Sequence, residues 1–179
     1  MVTSAIQLFR ERGVAGTALS DVIEHSQAPR GSLYHYFPDG KPQLAAEATA
    51  LAGRLMEKLI KKSMASAGPI QSVRALVDVS RQQLLTTDFA SGCPVAAGAL
   101  EGGGPPNARA AAGSAFTAWE SALADALVEH GAPAERADTL ASLVVCALEG
   151  AIIVAKAQRT TRALDRVEEE LTTLIHPML

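Results

Sequence analysis

Ala28-Pro29-Arg30-Gly31-Ser32-Leu33-Tyr34-His35-Tyr36-Phe37 is the stretch on which the fold turns. Proline is tolerated at a first helical position, where its missing N–H would be unpaired anyway and its ring presets φ, so a short helix is predicted to open at Pro29. Arg30, Ser32, Tyr34 and His35 carry hydrogen-bond donors, whereas Leu33 and Phe37, four apart, form a stripe that can anchor inward. So short a helix is not stable alone, because nucleation is costly and helical stability comes mostly from packing. A polar helix held to a scaffold by two apolar pegs suits contact with a polyanion.

The residues upstream supply the scaffold. Gly13 is a stop for a helix over 3–12, in which Ala5, Ile6 and Phe9, with Val2, share a face. Thr17 stands where an N-cap belongs, and Leu19, Val22 and Ile23 make a compact apolar stripe behind it. Ser26-Gln27-Ala28 is a tight connection, although Ala28 is a weak N-cap for the helix that follows. A helix, a short turn and a second helix with an exposed polar face make a helix-turn-helix, whose second helix enters the major groove of DNA.

From Gly13 to Leu44, with Thr17, Leu19, Ile23, Pro29, Gly31, Leu33, Tyr34, Phe37, Lys41 and Leu44 in register, the chain resembles the DNA-binding domain of TetR-family repressors. The wording APRGSLYHYFPDGK and QLAAEA, with GCPVAAGALE at residues 92–101, resembles the LmrA/YxaF-type subgroup. The resemblance implies an all-α fold with a three-helix helix-turn-helix head over 1–41 and a C-terminal helical ligand-binding and dimerisation domain over 42–179. It implies that Arg30 and Ser32 supply base-edge or phosphate contacts and that Gly31 lets the helix approach DNA closely. Tyr34, His35 and Tyr36 fall where phosphate, thymine-methyl and packing contacts occur. Thr17 and Lys41 would clamp phosphates from the starts of the second and fourth helices. Such repressors usually carry a basic arm before the first helix. Here Met1 falls within that helix, as a truncated start or an armless head would have it.

At 179 residues the chain can hold one sizeable core, or a small head on a larger body. Aromatic residues make up only 4% while alanine is abundant, a mix suited to closely packed helices. No strand-like alternation of useful length is present. The net charge of −3 conceals an asymmetry: eight basic against six acidic residues leave +2 over 1–62, and eight against thirteen leave −5 beyond. The basic end is the helix-turn-helix end, the right sense for DNA.

Downstream, Pro38-Asp39-Gly40 makes a turn and Lys41 opens a long helix to about Ser66, ended by Gly68-Pro69. Further helices are expected over 70–87, 95–101, 107–130, 133–158 and 161–175, with Gly102-Gly103-Gly104-Pro105-Pro106 the strongest breaker. The helix over 134–158 is apolar on most of its circumference, so it is either a core helix or one buried against another copy. By the resemblance, the last two long helices, about 134–175, pair with their twofold mates, and Ala137, Ala141, Ala147, Gly150 and Ala151 would permit close approach. Phe89, Cys93, Phe116, Trp119, Cys146 and Glu149 are candidates to line a pocket for a small hydrophobic or aromatic effector.

Several classes are excluded. Cys93 and Cys146 give neither metal spacing nor a disulfide framework and read as small buried hydrophobes. The run Leu140–Ala155 is interrupted by Glu149 and Gly150 and followed by Lys156, which favours a buried helix over a membrane span. With no signal peptide, a cytoplasmic protein is expected. His25, His35, His130 and His176 sit in turns, at helix ends or on the DNA face with no motif around them, and there is no phosphate loop or metal box, so neither catalysis nor a cofactor is expected. The expectation is a ligand-responsive transcriptional regulator, a repressor that reads a palindromic operator as a homodimer and is released by its effector. The alternative is a helical dimeric ligand-binding module with a degenerate head. The subgroup resemblance points to planar aromatic or drug-like effectors and to control of efflux.

Overall fold

A computed structural model describes residues 1–101 and 106–176, with the side chains of Arg30, Pro106 and Asn107 outside the description. Within that range the chain is helical, and no strand occurs among the described residues. The helices are α1 (Val2–Arg12), α2 (Leu19–Ser26), α3 (Arg30–Tyr36), α4 (Lys41–Thr86), α5 (Pro94–Ala99), α6 (Pro106–Glu129), α7 (Ala134–Gln158) and α8 (Arg162–Ile175). Most of the glycine-proline breaker at 102–106 lies outside the described residues.

Two compact units form. The first is Met1–Arg54 with Ser91–Ala115, and the second is Leu55–Ala90 with the chain from Phe116 onward. In the first, α1 buries Ala5, Leu8 and Phe9 on one face. Leu33 of α3 is fully buried and Phe37 nearly so, among Leu8, Phe9, Val14, Val22, Leu44, Ala45 and Ala48. The two pegs foreseen for the short helix therefore carry it. Removing the Leu33 side chain leaves a cavity that this small core cannot refill, so Leu33→Ala is expected to destabilise the fold by about 2–5 kcal/mol in chemical denaturation.

This core is not built from the N-terminal residues alone. Ala108 of α6 completes it, fully buried. Gly98 of α5 lies so close to α4 that a Cβ on it would stand 2.7 Å from Thr49 Oγ1 and 3.0 Å from its Cγ2. Only glycine permits that approach. The Gly92 N–H donates to the Arg10 carbonyl at 2.7 Å and so ties the segment before α5 to α1.

Two caps differ from expectation. Thr17 is not the N-cap of α2: Ala18 holds that place in an extended conformation, and Asp21 accepts its N–H at 3.1 Å. Pro29 stands one residue before the first turn, as the N-cap of α3 with ψ 135, so Ala28 caps nothing.

In the second unit α4 is broken at Gly68, whose φ of 75 and ψ of 174 lie outside the helical range, and Pro69 follows inside the helix. The Ser72 hydroxyl donates to the Gly68 carbonyl at 2.7 Å, and the His130 ring packs against the open α-carbon. The stop expected at Gly68-Pro69 is thus present: two helical segments meet there at a kink. Beyond it, the Arg81 guanidinium donates to Glu168 at 2.8 Å and Asp165 at 3.0 Å and also pairs with Asp78, pinning α4 to α8. These carboxylates, Glu168 foremost, raise the Arg81 pKa.

Helix α7 is long and apolar enough to cross a bilayer by length and composition, a test that soluble core helices also pass. One side is core, with Ala137, Leu140, Ala141, Val144, Ala151, Ile152 and Ala155 buried. The opposite side is open and also apolar: Leu143, Cys146, Gly150 and Ile153 follow one another at spacings of three and four, with Val154 beside them. Of the small residues expected to allow close approach, Ala137, Ala141 and Ala151 face the protomer's own interior. Gly150 is exposed and Ala147 half-buried.

Candidate nucleic-acid interface

Once Leu33 and Phe37 are buried, the geometry of α3 decides what faces outward. Gly31, Tyr34, His35 and Tyr36 are exposed, with Tyr34 at 67% and Tyr36 at 62%. Two tyrosines held this far into solvent give up most of their apolar burial, which marks a surface made to be covered. The His35 and Tyr36 rings meet edge to face at 5.1 Å, so neighbouring rings stiffen one another. Nothing lies within 4 Å of a Cβ built on Gly31. The fold itself does not require glycine there.

Other side chains turn inward. The Ser32 hydroxyl donates to the Pro29 carbonyl at 2.6 Å and closes the first turn of α3. Thr17 is buried, and its hydroxyl donates to the Gly13 carbonyl at 2.8 Å. The hydroxyl from which a phosphate clamp was expected is thus bonded inside the head. The Lys41 ammonium donates to the Ala15 carbonyl at 3.2 Å, tying the start of α4 to the loop before α2. Only Arg30 of the proposed contacts has a side chain outside the description.

Gln43 went unnoticed in the sequence. Its amide nitrogen donates to the Tyr36 carbonyl at 3.3 Å and to Glu47 at 2.9 Å, and its oxygen accepts the Asp39 N–H at 3.2 Å. It thereby fixes the turn by which α3 leaves the surface. No pattern in the sequence singles out a glutamine for that task. Between α2 and α3 runs an open groove of about 760 Å³, lined by Leu19, Ser20, Ile23, Glu24, Gln27, Ala28 and Tyr34. Its charged wall residue is acidic, which directs a polyanion toward α3 itself.

The six effector candidates do not form one set. Cys93 belongs to the first unit, where its sulfur caps α5 by accepting the Ala96 N–H at 3.5 Å. Arg10 lies near it. Burial lowers the Arg10 pKa, against the opposing pull of Cys93 and Glu11. The rest lie in the second unit. Phe89 packs on Val77, Leu84, Ala151, Ile152 and Leu164. Phe116 meets Trp119 edge to face at 5.2 Å, and Trp119 is buried. Glu149 is half-buried. Cys146 is exposed on the outer side of α7, which corrects its reading as a buried hydrophobe.

Comparison with known proteins agrees with this geometry. Residues 2–48 match the family of bacterial regulatory proteins, tetR family, and residues 69–170 match the C-terminal domain of LmrA/YxaF-like transcriptional regulators. An uncharacterized HTH-type transcriptional regulator of Mycobacterium tuberculosis is 44% identical, over 98% of this chain and 92% of that protein. The uncharacterized HTH-type transcriptional regulator YxaF of Bacillus subtilis is 32% identical over 96% and 91%. The crystal structure of a regulatory protein TetR from Rhodobacter sphaeroides superimposes with a TM-score of 0.85 at 21% identity, covering 96% of this chain and 95% of that one.

Proposed function

Because this chain belongs to the TetR family of transcriptional regulators, DNA-binding helix-turn-helix proteins rather than enzymes, we propose that it is a cytoplasmic, ligand-responsive repressor that reads a palindromic operator as a homodimer. The observation that carries this reading is α3, with Tyr34 and Tyr36 exposed and Gly31 opening onto empty space, all on a helix pegged by Leu33 and Phe37. In this reading residues 1–41 recognise DNA and 42–179 bind ligand and dimerise. Arg30, Gly31, Ser32, Tyr34, His35 and Tyr36 meet base edges and phosphates, and Lys41 supports them through the Ala15 loop. The second copy covers the open side of α7, where Leu143, Cys146, Gly150 and Ile153 line up, together with α8. A small hydrophobic or aromatic effector is taken up near Phe116, Trp119 and Glu149. It favours a form of the dimer whose heads are wrongly spaced for DNA.

The test is a selection of random duplex DNA on the purified protein at fixed moderate salt, followed by sequencing. An enriched palindrome with half-sites about one helical turn apart is expected. An effector found with that operator must weaken it by the same factor by which the operator weakens the effector, about 5–150-fold in coupling. Independent affinities would sink the mechanism.

A second reading, a dimeric ligand-binding module with a degenerate head, draws on Thr17, whose hydroxyl is spent inside the head, and on Lys41, whose ammonium already has a partner. It requires Arg30→Ala and Tyr34→Ala to leave DNA affinity unchanged.

A further inference from the structure

The chain leaves α4 through a turn whose backbone is unusual. Asp88 and Phe89 have φ of 49 and 60, left-handed values that a phenylalanine adopts only at a cost. The Phe89 N–H reaches back to the Leu84 carbonyl at 2.7 Å, and the Ala90 N–H to Thr87 at 3.0 Å. One side chain grips this turn from the far end of α7. Arg159 donates through Nη1 to the Asp88 carbonyl at 3.1 Å and through Nη2 to the Asp88 carboxylate at 2.6 Å, and its guanidinium lies 5.7 Å from the centre of the Phe89 ring. Arg159 is itself left-handed, φ 52, as the C-cap of α7. Three of the four left-handed non-glycine residues among those described thus meet at one point.

A lone exposed ion pair contributes little to stability. Here one arginine holds a carbonyl, a carboxylate and a ring at once, and what it holds is a backbone conformation disfavoured without it. The turn also leads somewhere. Ala90 and Ser91 are followed by Gly92, whose N–H is bonded to the Arg10 carbonyl of α1, and then by Cys93, the cap of α5. We propose that Arg159 is a latch: by fixing the Asp88-Phe89 turn it holds the strap 90–92 in register with α1 and so sets operator affinity. The inference rests on the repressor reading above. Hydrogen bonding from Arg159 keeps the Asp88 carboxyl below its ordinary pKa. A carboxylate with a depressed pKa holds its partner at every pH above that value and loses it only in acid, so ionic strength rather than pH near neutrality is the lever on the latch.

The experiment compares the full-length protein with Arg159→Ala by two readouts at one salt concentration: operator affinity, and hydrogen exchange of the Gly92 amide. Operator affinity is expected to fall at least about 5-fold. Gly92 protection should fall about 10-fold while α7 keeps its own, with dimer mass unchanged. If either quantity stays at the wild-type value, the latch is wrong. Asp88→Asn, at an exposed position, provides the same two readouts with a smaller effect in the same direction, and it serves if Arg159→Ala does not fold. A wild-type protein that binds no operator refutes the repressor reading separately. Gly92 exchange, which needs no DNA, then decides whether the latch holds the strap.

Discussion

Replacing Gly31 with leucine is expected to abolish specific operator binding, by about 100-fold or more, while leaving the folded protein as stable as before. The two halves of that result have separate causes. Nothing lies within 4 Å of a Cβ at Gly31, so the side chain enters solvent without displacing any group, and leucine is a better helix former than glycine by about 0.5–1 kcal/mol. In the proposed complex the same position lies in the groove, where the added isobutyl group would meet base edges or sugar. The dimer suffers this at both half-sites, and each disrupted position costs about 1–3 kcal/mol. The measurement is operator affinity by titration beside a thermal melt. A variant that melts as the wild type does and still binds its operator would remove α3 from the interface. Gly31→Ala should give an intermediate loss.

The second large effect is expected at the open side of α7. Ile153→Glu should leave the protomer folded, because Ile153 is 54% exposed there. It should convert the dimer to a monomer at micromolar concentration. Covering an unpaired carboxylate with apolar surface costs several kcal/mol, and a twofold interface brings in both copies together. Operator binding would fall with it, since two half-sites read by separate monomers lose the gain from linkage. Sedimentation or light scattering decides the point. An unaltered dimer would place the interface elsewhere.

Much of the fold was legible because its signals are local. Helix ends followed from Gly13, the 38–40 turn, Gly68-Pro69, Gly131 and Pro133, each of which limits the backbone whatever surrounds it. The inward pegs Leu33 and Phe37 followed from their spacing on a helix otherwise polar. The site was legible where exposure follows from that periodicity, at Gly31, Tyr34, His35 and Tyr36. It was not legible where partners are distant in sequence. Thr17 looked like a cap, but its hydroxyl turns to Gly13, and Lys41 finds the Ala15 carbonyl across 26 residues. Helix α7 posed a different difficulty. A helix apolar all round carries no phase, so nothing in its composition separates the inward Ala137, Ala141 and Ala151 from the outward Gly150 and Cys146.

The head's interior is closed by Ala108, and Gly98 fits against Thr49 with no room for a methyl group. Recognition is therefore not a detachable cassette. A fusion that grafts residues 1–54 onto the body of another regulator would leave the graft's apolar interior facing foreign side chains at both seams. Moving 1–54 together with 91–115 keeps the matched surfaces as a pair. For anyone assembling hybrid sensors from this protein, the exchangeable module is two stretches of chain, with one cut inside helix α4, one in the loop after Ala90 and one inside helix α6.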